Sequence, residues 1–173
     1  FPGQFNQPHG IENDAAGNVY VVEISNHRVQ QFTGSGTFLR KWGGLGTGDG
    51  QFDFPHGVAL DAAGNVYVTD YNNDRLQKFT SVGAFLWKIS ISSPAGISIG
   101  SQGAVYVSVI DSAVIQKYVP VPPIVEAAPD FLGKWGSSGS APGRRWSAPQ
   151  SVRARSCPAA SAYARPAEAR PHW

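Results

Sequence analysis

His9 and His56 have identical neighbours: each lies between a proline and a glycine, 47 positions apart (56 − 9). Neutral imidazole is the commonest metal ligand, so a pair held at equivalent positions could share a zinc or calcium ion. A catalytic zinc takes three protein ligands as a rule, yet the next equivalent positions carry Ala95 and Gln150. A polar lining is therefore the plainer expectation for the pair. Glu23 and Asp70 recur at the same spacing, followed by Asn26 and Arg28 and by Asn73 and Arg75, and Ser108 is their expected third counterpart. Catalysis needs an acid once, not once per repeat, so these groups are expected to fix turns and form ion pairs. Asp14 and Asp61, with Gly17 and Gly64 three residues on, read as turn formers, because Asp suits the first position of a turn and Gly its positive φ. Trp42, Trp87 and Trp135 each have a lysine beside them (Lys41, Lys88 and Lys134). Such pairs either stack a base or a sugar or pack inside the protein.

The elements that must position these side chains come from an internal repeat. Shifted by 47, Gln4–Leu39 falls on Gln51–Leu86 with 21 of 36 positions identical. A third copy follows at a shift of 39, where Pro94, Gly96, Gly103, Val105-Tyr106-Val107 and Gln116-Lys117 match the second. Its closing segment is delayed by an insertion at 120–129 and resumes as Phe131-Leu132-Gly133-Lys134-Trp135-Gly136. Each copy reads as four short strands. In the second these are Gly57–Asp61, Asn65–Tyr71, Arg75–Thr80 and Ala84–Ile89, separated by Asp/Gly- and Asn/Asp-rich turns. The second strand alternates apolar and polar residues with period two. Four antiparallel strands in about 45 residues, repeated, is the arithmetic of a β-propeller blade. Tyr20, Tyr67 and Tyr106 recur once per blade and read as packing.

The pattern Pro-x-Gly, then Asp-x-x-Gly-Asn-Val-Tyr-Val, then Asn-x-Arg-Val-Gln-x-Phe resembles the NHL repeat of six-bladed β-propellers. Asn26-His27-Arg28-Val29-Gln30-Gln31-Phe32 carries it most clearly, and Asn73-Asp74-Arg75-Leu76-Gln77-Lys78-Phe79 repeats it. The third copy departs, with Ser112-Ala113-Val114 and no arginine. The resemblance implies an all-β propeller fragment of about three blades (4–43, 51–90 and 94–136) plus a degenerate fourth. It places His9 and His56 near the mouth of the central channel. It also implies a binding or scaffold role, with a protein or small ligand held at a propeller face. Lyases of this superfamily use channel histidines for a metal, so a metal-dependent lyase or lactonase-like enzyme is the alternative. Some NHL propellers bind RNA, which is the second alternative.

Composition narrows these readings. Hydrophobic residues make up 42% of the 173 and charged residues 15%, enough apolar content for a core and too few charges for a coiled coil. The single cysteine, Cys157, excludes an internal disulfide framework. No apolar run approaches the length that spans a membrane as a helix. Residues 1–136 hold 8 Lys and Arg against 11 Asp and Glu, a balance of −3, whereas 137–173 hold 6 Arg and one Glu, a balance of +5. An acidic body disfavours a nucleic-acid partner. The Arg/Ala/Pro-rich tail, 137–173, reads as a degenerate fourth blade or a disordered segment, of the composition a GC-rich gene gives when read out of frame. Three blades do not close a ring, so the expectation is a piece of a longer protein or a homodimer that completes six blades. The sequence assigns no compartment.

Overall fold

The computed structural model describes residues 1–119 and 130–135. These form three four-stranded antiparallel sheets, each a blade. Blade 1 contains β1 (Pro8–Asn13), β2 (Val19–Glu23), β3 (Arg28–Phe32) and β4 (Phe38–Gly43). Blade 2 contains β5 (Pro55–Leu60), β6 (Val66–Asp70), β7 (Arg75–Phe79) and β8 (Phe85–Ser90). Blade 3 contains β9 (Pro94–Ile99), β10 (Val105–Val109), β11 (Val114–Val119) and β12 (Asp130–Trp135). The chain is all-β among the described residues, and no helix in them could cross a membrane. All three blades fall in one compact unit, 1–142; the second unit, 143–173, lies outside the described residues, as does the expected fourth blade.

Strands pair in sequence order within each blade, so each blade is a meander of short turns. Innermost strands β1, β5 and β9 lie side by side, β5 touching both neighbours. The Pro-x-Gly signature permits that approach. A Cβ on Gly10 would sit 2.6 Å from the His56 carbonyl oxygen, and one on Gly57 would sit 2.6 Å from that of Ala95. Glycine is the residue that lets two backbones come this near.

Apolar side chains fill the two seams. Tyr20, Val22, Val29 and Trp42 of blade 1 meet Phe52, Val58, Val66, Val68 and Phe79 of blade 2. Leu76, Tyr67, Trp87 and Ile89 of blade 2 meet Val105, Val107, Val109, Val114 and Ile97 of blade 3. Blade 1's other flank shows what a seam covers. Phe52 is 0% exposed and Val58 5%, whereas their counterparts Phe5 and Ile11 are 49% and 68% exposed.

The register corrects one expectation. Pro8, Pro55 and Pro94 pair with Glu23, Asp70 and Val109 respectively. The third counterpart of Glu23 and Asp70 is therefore the buried Val109, not Ser108. Ser108 stands where Thr69 stands in blade 2, and the two hydroxyls do the same work: Thr69 Oγ1 accepts from Gly57 N–H and Ser108 Oγ from Gly96 N–H, each at 2.7 Å.

Candidate functional site

The recurring turn aspartates hold the β1–β2 and β5–β6 turns. Asp14 Oδ1 accepts from the N–H groups of Ala16 and Asn18, and Oδ2 from the Asn18 amide and the Tyr20 hydroxyl, at 2.9–3.3 Å. Asp61 repeats this with Ala63, Asn65 and Tyr67 at 2.9–3.1 Å, and adds Lys78 Nζ at 3.4 Å. Burial pushes both carboxyls up, but the hydrogen bonds from Asn18 and Asn65 outweigh it and both end below the usual range. Gly17 and Gly64 close the turns at φ +81° and +80°. Tyr20 and Tyr67 thus do more than pack: each hydroxyl donates to its blade's turn aspartate.

Glu23 and Asp70 sit at the opposite end of the blades, fully buried. Arg28 Nε donates to Glu23 Oε2 at 2.5 Å, the Gln30 amide to the same oxygen at 2.9 Å, and Asn26 and Asn6 N–H to Oε1. Burial raises the Glu23 carboxyl, but the hydrogen bonds from Arg28 and Asn26 overcome it and hold it below its ordinary value. Asp70 receives Arg75, Asn73, Gln77 and Asp53 N–H in the same way, at 2.7–3.2 Å. The outward ends of these donors grip the segment that precedes each blade. Arg28 and Gln30 donate to the Gln4 carbonyl. Arg75 donates to the carbonyls of Thr47, Gly48 and Gln51, and Gln77 to that of Gln51. Asn26, Arg28, Asn73 and Arg75 are therefore spent on structure. Gln30 and Gln77 belong to the same network; they stood in the repeat pattern, where only their recurrence marked them.

Trp42 and Trp87 lie in the seams. Trp42 packs against Phe79 at 6.1 Å between ring centres and edge-on to Tyr20, and its buried indole N–H meets no acceptor among the described residues. Trp87 stands edge-on to Tyr67 at 5.7 Å with Lys78 over its ring. The two are not equivalent: Trp42 pairs with Val29, while the matching partner of Leu76 is Ile89. Trp135 pairs with Ile115 in β12, and its side chain lies outside the described residues.

His9 and His56 are brought together where the inner strands begin. Their rings lie 4.8 Å apart, tilted 43°, and His9 Nδ1–H donates to the His56 carbonyl at 3.1 Å. His56 also stacks on Tyr71 at 4.9 Å and 17°. Burial, with the His9 ring beside it, pushes the His56 imidazole below its ordinary value. Tyr71 had no signal in the repeat, since its counterpart in blade 1 is Ile24.

Around this stack the backbone is held in an uncommon state. Gln7, Phe54 and Ser93, each just before the proline of an inner strand, have φ of 51°, 52° and 46°; His27, Asp74 and Ala113, in the following turns, have 48–50°. Left-handed geometry costs a non-glycine residue about 1–2 kcal/mol, and here bonds across the seams hold it. His27 Nδ1 accepts from Phe54 N–H at 3.2 Å and Asp74 Oδ1 from Ser93 N–H at 2.7 Å. Blade 3, with Ala113, has no such acceptor. His9, His56 and Tyr71, with His27 and the half-exposed Phe54 nearby in sequence and contact, form an aromatic rim that can stack a planar or apolar group.

The NHL repeat family matches residues 5–32 and 52–79. No curated protein matches the chain in sequence. Among solved structures, a catalytically inactive virginiamycin B lyase from Staphylococcus aureus with quinupristin aligns at a TM-score of 0.60 and 19% identity, over 77% of this chain and 42% of that one. An exported protein of Bacteroides fragilis aligns at 0.59 and 14%, over 78% and 39%. A chain of a nidogen/laminin complex aligns at 0.54 and 14%, over 66% and 44%. The chain spans less than half the length of each.

Proposed function

The chain is built of NHL-repeat β-propeller blades, and on that premise we propose that it is a binding module whose recognition surface is the rim of His9, His56 and Tyr71. One observation carries this reading. The repeated polar residues are buried and consumed by hydrogen bonds inside the blades, whereas the stacked imidazoles stand at the inner-strand mouth with polar edges that meet no partner among the described residues. Fold alone does not give function, but a propeller chain in a nidogen/laminin complex supports protein binding as a use of this architecture. The exposed flank of Phe5 and Ile11 is where a further blade would pack, and a second copy of this chain completing a ring would supply it. Light scattering on the purified chain reads this as a mass of about twice 18.4 kDa.

Metal-dependent catalysis is the second reading, and the paired histidines are what favours it. Panning a displayed peptide library against the full chain separates the two. Peptides that bind the wild type and lose affinity about tenfold with Y71A or H9A, the loss of one good aromatic contact, support the module. Peptide binding indifferent to all three rim residues overturns it. One-to-one zinc binding abolished in both H9A and H56A moves the assignment to the metal enzyme.

A further inference from the structure

The three β-meanders differ at one turn in a way that leaves a hole. In blade 2 the Asp61 carboxylate fills the end of the blade, meeting two backbone N–H groups, the Tyr67 hydroxyl and Lys78. Blade 3 keeps that frame. The β9–β10 turn is closed by the same two backbone bonds, Gly100 N–H to Ala104 O at 2.9 Å and Gly103 N–H to Gly100 O at 2.8 Å. Tyr106 replaces Tyr67, and Lys117 replaces Lys78 at the same cross-strand position. Lys117 Nζ lies 5.5 Å over the Tyr106 ring as Lys78 lies 5.3 Å over Tyr67. The one part missing is the acid, for the counterpart of Asp61 is Gly100.

A cavity of about 340 Å³ opens at that spot, lined by Gly100, Ser101, Gln102, Ala104, Tyr106 and Lys117. Lys117 forms no ion pair among the described residues. The N–H groups of Gln102 and Ala104 occupy the positions at which Ala63 and Asn65 donate to Asp61. The volume is larger than one carboxylate and falls at the low end of small-molecule sites.

We propose that this turn of blade 3 binds a small organic carboxylate, whose oxygens take the place that the Asp61 side chain holds in blade 2. The cation and backbone donors hold the carboxylate, and the remaining volume takes its organic body. The site is separate from the histidine rim, which lies at the opposite ends of the strands.

Sodium propionate is the probe, titrated into the ¹⁵N-labelled full chain at constant ionic strength while the Gln102 and Ala104 amides are followed. Saturable shifts of these two amides are expected, absent with the uncharged propionamide. Gly100→Asp restores the internal acid and is expected to abolish the response. Its backbone is not left-handed, and a Cβ there meets Tyr106 Cε2 at an ordinary 3.4 Å. Lys117→Gln keeps the fold and is expected to weaken binding about threefold, the worth of one partly exposed ion pair. Absent or non-saturating shifts overturn the proposal, as does an equal response to propionamide, an equal response to sulfate, or a G100D chain that still responds.

Discussion

The two inter-blade connections differ in length, and that difference explains the signature residues. Between blades 1 and 2, Gly43 is followed by eight residues, 44–51, before Phe52 enters the seam. Between blades 2 and 3, Ser90 is followed at once by Ile91, the counterpart of Phe52. Where the connection is long, its carbonyls point at Arg75 and Gln77, whose charge Asp70 balances. Where it is short, no loop needs holding, and the cross-strand pair Asp70–Arg75 becomes Val109–Val114. Both valines are buried in the second seam. A buried ion pair is no better than a well-packed apolar pair unless other groups need its hydrogen bonds. The Asn and Arg of the pattern are, on this account, a clamp for the long connection, present in blade 2, which has one, and replaced in blade 3, which does not and keeps only the Gln, as Gln116.

The comparison can be broken most forcefully by removing one half of the ion pair. Asp70→Ala leaves Arg75 buried without its counter-charge and should cost about 3–5 kcal/mol in urea unfolding. At the matching position in blade 3, Val109→Ala removes two buried carbons and strands no charge, so it should lose less, about 2 kcal/mol. Crowding one seam comes next. Gly57→Ala places a methyl 2.6 Å from the Ala95 carbonyl oxygen, and the backbones must part at a cost of about 1–3 kcal/mol. The corresponding Gly96→Ala, whose nearest neighbour is the Ser108 hydroxyl at 3.0 Å, should be milder.

Acidity sharpens the same contrast with the smallest effect. Asp14, Glu23 and Asp61 all titrate below their ordinary values when folded, so the unfolded chain takes up protons first as the pH falls. Their stabilisation is complete above the ordinary carboxylate range and is lost as pH falls through the folded values. His56, lowered from 6.5, acts with the same sign at higher pH. Thermal unfolding should therefore show the melting temperature falling below about pH 6.5 and again in the carboxylate range. Asn at positions 14 and 61 should flatten the second fall. A melting temperature that rises on acidification would contradict these directions.

Much of this was legible in the residues. The shift of 47 located blades 1 and 2, Val66-Tyr67-Val68 announced a strand by its alternation, and Asp61 with Gly64 announced its turn. The pairing of Glu23 with Arg28 followed from their joint recurrence. What recurrence could not show was which backbone atoms the side chains reach. Gln30 and Gln77 recur in the pattern without a role that recurrence could name, and their amides reach the Gln4 and Gln51 carbonyls. Ser108 was misaligned with Asp70 because Val109 lacks the polarity that marks the position. Tyr71 was invisible because it is not repeated, although it completes the histidine stack. The left-handed backbone at Gln7 and His27 carried no glycine to announce it.

The clamp account is tested most directly by shortening the connection. Asp70→Val with Arg75→Val is introduced into the full chain and into a chain lacking residues 44–51, and unfolding free energies are measured by urea titration. The account predicts that the double valine costs at least about 3 kcal/mol when the connection is long, because the Thr47, Gly48 and Gln51 carbonyls lose the donors of Arg75. With the connection removed, the same pair should cost less than about 1 kcal/mol. An equal cost in both chains would mean that Asp70 and Arg75 serve the blade itself, and the link between connection length and signature would be lost.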